Sequence, residues 1–359
     1  MKVFRKYLVI GVIFLFVGAN FLPSVSSISD NKAINSTKTM FSDWSYIPDI
    51  IVPDDYPTIQ SAVDNANGGD CIAVRNGTWN ENIIINKNDL ILCGDLDAPA
   101  IINNVGDSNT ITINAQIITI ADFSIFCNAA AFPDYACVYI NGNLCSILRN
   151  NICASENSSG IITIDAANTN ISKNKISATI SSNSSFNEYG IHLDFCKDYI
   201  ITENRIAKFG TGIDLTNSQF YNVTRGIFCN KITNNNIGIY CGSSNGYVLK
   251  NEISNNYVGV QLFGGRADFD TNNIINNNHT LELISCIAFF IDNNLYNDSS
   301  TILVAMNGGI FVIAPFNYWG TMGGSPYLHP RRRVFPIYAP ILMFPWRLKP
   351  VDIPQCWPD

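Results

Sequence analysis

His192, Asp194 and Asp214 are the side chains whose types and spacing most readily suggest chemistry. His192 stands two residues after Gly190, and Asp214 two after Gly212. Stacked strands beginning at those glycines would therefore set the imidazole beside a carboxylate. Alternate residues of a strand share a face, which brings Asp194 to the same side as His192. Two carboxylates near an imidazole can do acid/base work on a glycosidic bond or a uronate. The same oxygens can hold a Ca²⁺, which would let an acidic surface meet an acidic glycan. Stabilising an enolate would also need a cation, and Lys197 and Arg205 are the nearby candidates. Counted the same way, Tyr240, Gln261 and Glu282 continue the outward column, and Phe263 lies in the next one. Ring faces interleaved with amides and carboxylates suit a sugar chain. The first three residues are thus candidate catalytic groups, and Tyr240, Gln261, Phe263 and Glu282 candidate glycan contacts. An ordinary solvated sheet face is the plainer alternative for any one of them.

These residues share a face only if the chain repeats, and it does. Asn150, Asn174, Asn204, Asn230, Asn251, Asn272, Asn293 and Asn317 recur at steps of 24, 30, 26, 21, 21, 21 and 24 residues, most of them two before an Ile. A second series keeps pace: Gly160, Gly190, Gly212, Gly238 and Gly259, then Thr280-Leu281 and Thr301-Ile302. An apolar residue also recurs at Ile147, Ile171, Ile201, Ile227, Val248, Phe269 and Phe290. A unit of this size cannot bury its own core, but coils stacked at about 4.8 Å can share one. Identical Asn side chains would then stack and hydrogen-bond as a ladder. The expectation is an all-β, right-handed parallel β-helix.

Composition agrees. Of 359 residues, 47% are apolar and 14% charged, so disorder is excluded. The 46 Asn, 28 Ser, 19 Thr and 24 Gly argue against a helical protein. Lys2, Arg5 and Lys6, then an apolar run to Ala19 and small residues Ser24–Ser27, read as a secretory signal. Its removal shifts the formal net charge from −7 to −10. Nucleic acid is a poor partner for such a chain, and a membrane would be met only through an uncleaved signal. Most of the 11 Cys fall in strand-like apolar runs as free core thiols, with one bridge expected within Cys127–Cys153.

The segment Val52–Val63 reads as a strand, a turn and a short helix. Ile59, Ala62, Val63 and Ala66 form the helix's apolar side, which would cover the first coil. Strand-like runs follow at Cys71–Val74, Ile83–Ile85 and Leu90–Leu92. With Gly69-Asp70, Gly77-Thr78-Trp79, Glu81-Asn82 and Leu92-Cys93-Gly94, this opening resembles exported NosD-like and pectate-lyase-like β-helix proteins. Asn317-Tyr318-Trp319-Gly320 with Gly324-Ser325-Pro326 resembles the close of surface members. The resemblance spans about residues 50 to 330 and implies the fold; the family mixes enzymes with non-enzymes. Signature segments of pectinesterases, polygalacturonases and the Asp-Pro-His epimerases are missing from the sequence. NosD-like proteins are associated with copper delivery, but His192, His279 and His329 lie far apart and no His/Cys/Met set clusters.

The expected organisation is a signal peptide (1–27), a leader (28–49), the β-helix (50–320) and a proline-rich C-terminal cap or tail (321–359). The expected role is an exported or surface solenoid that binds a polysaccharide or envelope glycan, or is structural, without catalysis. The alternatives are a polysaccharide lyase, hydrolase or epimerase, and a copper maturation factor.

Overall fold

Short runs of β-branched residues, cut by Asn, Ser and Gly corners, fold into three parallel sheets. The computed structural model describes residues 48–95, 98–129, 135–155, 157–179, 188–219, 224–296, 304–307, 311–314, 317–318, 334–335, 341–342 and 349–353. The expected signal segment, His329 and most of the tail lie outside them. Among the described residues the sheets hold 13, 11 and 10 strands. One coil runs Ser146–Leu148 in the 13-stranded sheet, Asn151–Ala154 in the 10-stranded and Ser158–Ile164 in the 11-stranded, before Asn170–Ser172 opens the next. The protein is therefore an all-β parallel β-helix. No helix among the described residues is long and apolar enough to cross a membrane.

The core is a set of in-register columns. Ile147, Ile171, Ile201, Ile227, Val248, Phe269 and Phe290 stand opposite one another on successive strands and are all buried. The Phe269 and Phe290 rings stack at 4.8 Å. Each buried aliphatic side chain contributes about 1.5–3 kcal/mol. Repeated at every coil, that outweighs surface ion pairs such as Arg75–Asp54, each worth at most about 1 kcal/mol.

Many corners carry a residue with positive φ, followed in part of the stack by a buried polar one. At the corner between the 13- and 10-stranded sheets the positive-φ residues include Arg149, Lys173, Glu203, Lys250 and Thr271. The next residue is the repeating Asn. Its Oδ1 accepts the preceding coil's Asn backbone N–H at 2.8–2.9 Å, from Asn150 through Asn317. Asn251 Nδ2 donates to Asn272 Oδ1 at 3.0 Å and to the Ile227 carbonyl at 2.9 Å. Amide and backbone are thus satisfied without water.

Two further ladders were not anticipated. Asn235, Asn256 and Asn277 stack at the next corner, each Oδ1 taking a backbone N–H from the coil before. Cys196, Ser218 and Ser244 line the third, joined by backbone N–H to hydroxyl bonds of 3.0 Å. The glycine series has a steric cause: a Cβ at Gly190 would lie 2.5 Å from the Gly212 carbonyl oxygen and from Ile206 Cγ2.

At the N-terminal end a helix forms at Ile59–Asn65 behind a Thr58/Ser61 capping box. Its buried side of Ile59, Ala62 and Val63 joins the solenoid core. The Glu81 carboxylate accepts the Ile59 and Gln60 N–H groups at 3.0 Å, satisfying two orphan donors of the first turn. At the other end Val334–Phe335 and Ile341–Leu342, inside the segment read as a tail, pair with the 11- and 13-stranded sheets.

Two expectations need correction. Leu281 pairs with Val304, so the last step of the glycine series is two residues longer than Thr301-Ile302 implied. Cys127, Cys137, Cys145 and Cys153 are all free, so no bridge lies within Cys127–Cys153; the described cysteine that is disulfide-bonded is Cys229. The reason is packing: a thiol on a core-facing position is held among its neighbours like a small apolar group.

Candidate functional site

The candidate residues lie on five neighbouring strands of the 11-stranded sheet: Tyr189–Asp194, Thr211–Thr216, Ile237–Gly242, Val258–Phe263 and His279–Ile284. Their register places His192 opposite Asp214, Asp214 opposite Tyr240, Tyr240 opposite Gln261, and Gln261 opposite Glu282. Four strand spacings carry this column about 19 Å along the solenoid. Asp194, Thr216, Gly242, Phe263 and Ile284 form the adjacent column. In the first of these strands the burial pattern is half-buried, buried, buried, half-buried. The Gly and Ile both turn inward, so the first and fourth residues face outward together.

That break in alternation builds two clusters. In the first, His192 Nδ1 and Asp214 Oδ1 are 3.0 Å apart, and the Thr216 hydroxyl donates to the same oxygen at 2.8 Å. The Tyr189 ring stacks on the imidazole at 4.5 Å and 25°. Asp214 is only 5% exposed, so its carboxylate is spent largely on holding His192. In the second, Glu282 accepts Gln261 Nε2 at 2.7 Å and meets His279 Nδ1 at 2.6 Å. Tyr257 tilts against that imidazole at 4.9 Å. Sequence reading left His279 isolated, because strict alternation puts residues three apart on opposite faces; the paired inward Thr280-Leu281, like each Gly-Ile before it, was the available signal.

Asp194 does not join the first pair. It stands opposite Thr216 and accepts Asn217 Nδ2 at 3.3 Å. Arg205 lies on the 10-stranded sheet and so cannot serve as the cation facing this column. Between the clusters, the Tyr240 ring covers Gly242, where a Cβ would come within 2.8 Å of it. Burial first, and then the Asp214 charge, push the Tyr240 phenol up, so it stays a hydrogen-bond donor. Phe263 and Tyr257 are 50% and 51% exposed and offer open ring faces at one end of the column.

The fold and this face define a parallel β-helix protein resembling the NosD-like and pectate-lyase-like group. Residues 178–324, less than half of the chain, match the family model described as periplasmic copper-binding protein (NosD). No curated protein matches the chain. Solved structures similar to it include the periplasmic alginate epimerase AlgG, at 15% identity over 77% of this chain and 76% of that one, with a TM-score of 0.40. The Azotobacter vinelandii mannuronan C-5 epimerase AlgE6 A-module is 12% identical over 83% and 95%, at 0.41. Pectate lyase Pel9A is 10% identical over 81% and 73%, also at 0.41.

Among the described residues no three His, Cys, Asp or Glu side chains converge as a metal site. The two His–carboxylate pairs are separated by three strand spacings, roughly 14 Å. Burial pushes the Cys145 and Cys286 thiols up to about 11 and Cys196 to about 12, away from the thiolate that binds metal. Cys127 is held down at about 6 by hydrogen bonding with Cys137 and then with Ser158, but it is fully buried.

Proposed function

We propose that the protein is an exported or surface-displayed solenoid that binds an extended glycan along the outward face of the 11-stranded sheet, without turning it over. The observation that carries this reading is the continuous column itself. His192, Asp214, Tyr240, Gln261 and Glu282 stand in register across five strands, with the Tyr189 and Tyr257 rings against the two imidazoles and the Phe263 ring in the adjacent column. Sugar rings stack on aromatic faces, and their hydroxyls bond to the interleaved polar groups. Export is supported by the basic, apolar and small-residue order of residues 1–27. The absence of turnover is supported by Asp194, which stands apart from the His192–Asp214 pair and accepts Asn217 instead.

One observation favours an enzyme instead, a lyase, hydrolase or epimerase. Asp214 fixes His192 through Nδ1, which leaves Nε2 as the nitrogen for a substrate, the arrangement of an oriented general base. The purified protein should be incubated with neutral and acidic polysaccharides and Ca²⁺, with binding and product masses both followed. The binding reading expects intact polymer and an affinity lowered about tenfold in a Tyr240→Ala/Phe263→Ala variant, since each stacked ring contributes about 0.5–1.5 kcal/mol. Shortened products, or products formed by elimination, that vanish in His192→Ala would replace it with the enzyme.

A further inference from the structure

Three strands open the three sheets, and among the described residues each has one edge with no strand beside it: Ile50–Val52, Gly77–Asn80 and Ile83–Ile85. Side chains close two of those edges. Ile51 donates its N–H to the Asp55 carboxylate at 2.7 Å, and its carbonyl accepts the Asp55 N–H at 2.7 Å. A single amide does the same for Ile84, whose N–H meets Gln60 Oε1 at 2.7 Å and whose carbonyl accepts Gln60 Nε2 at 3.1 Å. The third edge is open. Glu81 donates its N–H to the Asn103 carbonyl of the next strand at 3.1 Å. Backbone groups point to alternate sides along a strand, so those of Thr78 and Asn80 point the other way, where no described residue meets them. A free row of this kind invites pairing with another chain.

At the head of the open edge stands Asn76-Gly77-Thr78, which has the Asn-x-Ser/Thr pattern of an N-glycosylation acceptor. That pattern occurs eight times in the chain, so residue types alone do not choose among its copies. The fold does. Four copies lie on described residues, beginning at Asn76, Asn157, Asn170 and Asn278. In the last three the hydroxyl residue, Ser159, Ser172 or Thr280, is buried. At the first, Asn76 and Thr78 are both exposed. Gly77, with a φ of 141° that suits glycine, bends the chain between the strand Cys71–Val74 and the open edge. Asn76 therefore stands on an exposed turn.

We propose that Asn76 accepts an N-linked oligosaccharide, which shields the Gly77–Asn80 edge. Its Nδ2 attacks the anomeric carbon of an oligosaccharide carried on a polyprenyl diphosphate. The C–N bond forms as the C–O bond to the diphosphate breaks. The lipid diphosphate leaves with that electron pair, and one amide proton passes to a base of the transferring enzyme. The Thr78 hydroxyl and the unpaired backbone are groups that enzyme can grip without opening a sheet. A bulky, hydrated glycan beside the free N–H and C=O groups then bars a second edge from them, as Asp55 and Gln60 do at the other two sheets. Such donors are met on the export route, so occupancy in the cell rests on the export proposed above; the test uses purified chain and can fail independently of it.

The test incubates the folded full chain with an oligosaccharyltransferase and a polyprenyl-diphosphate oligosaccharide, and reads each site by peptide mass spectrometry. Asn76 should gain one glycan, while Asn157, Asn170 and Asn278 stay bare. Thr78→Ala should lose the Asn76 glycan with no change in melting temperature, since that side chain is exposed. At raised concentration the glycosylated chain should scatter less light than an Asn76→Gln chain treated alike. Asn80→Pro, which removes a free edge N–H, should lower the scattering of the bare chain in the same way. A bare Asn76 in the folded chain, a glycan at Asn157, Asn170 or Asn278, or scattering that neither the Asn76 glycan nor Asn80→Pro reduces would each overturn the proposal.

Discussion

Asp270 illustrates how far a single residue's chemistry depends on its place in the stack. It projects from the 13-stranded sheet between Leu249 and Ile291 on the adjoining strands. Burial first, and then the Asp292 charge, raise its carboxyl to about 6 from an ordinary 3.8, with Lys250 opposing them. A folded-state pKa above the unfolded one means that the folded protein binds the proton more tightly. The stabilisation is complete below about 3.8 and is lost as the pH rises through about 6. Asp270→Asn should therefore stabilise the protein by about 2 kcal/mol at neutral pH and by little near pH 4. Urea unfolding at the two pH values checks this; equal gains at both would refute it. The sequence exposed part of this scale. Register alone predicted His192 beside Asp214. It could not predict that Asp194 would turn to Asn217, or that His279 would reach Glu282, because both depend on where strict alternation breaks.

At the scale of the element, the corners are the least legible part of the molecule. Left-handed backbone is usually announced by Gly or Asn. Here Arg149, Lys173, Glu203, Cys229, Lys250, Thr271 and Asp292 adopt it at one corner, with φ between 51° and 59°. Nothing in those side chains signals the turn; the Asn that follows imposes it by reaching inward to the neighbouring coils. Thr271 is the β-branched residue among these; its Cβ crowds the backbone, and its buried hydroxyl has no hydrogen-bond partner among the described residues. Thr271→Gly removes about 1–2 kcal/mol of left-handed strain together with the stranded hydroxyl, against about 0.5–1 kcal/mol of added chain entropy. A net gain of about 1 kcal/mol, seen as a higher melting temperature, is expected; a lower one would show that the Thr methyl packing matters more. The strands themselves were readable, because the Asn, Gly and apolar series all repeat in step, and Cys71–Val74 and Ile83–Ile85 form within the expected bounds.

At the scale of the molecule, most contacts among the described residues join one coil to the next. That is why internal repetition revealed the architecture, while function, carried by outward side chains that the core does not constrain, stayed largely hidden. The three uniform coils bounded by Asn230, Asn251, Asn272 and Asn293 are each 21 residues long. Deleting residues 252–272 would seat Asn251 on Asn293, Val248 on Phe290 and Gly238 on Thr280, restoring each inward column. Such a chain should keep the circular-dichroism shape of the parent and unfold with a proportionally smaller denaturant slope. Removal of residues 252–262, about half a coil, should abolish folding. The molecule is in this sense a ruler graduated in whole coils: its reach can change only in steps of about 4.8 Å. A lineage carrying it can lengthen or shorten that reach by duplicating or losing one graduation, without inventing a new interior.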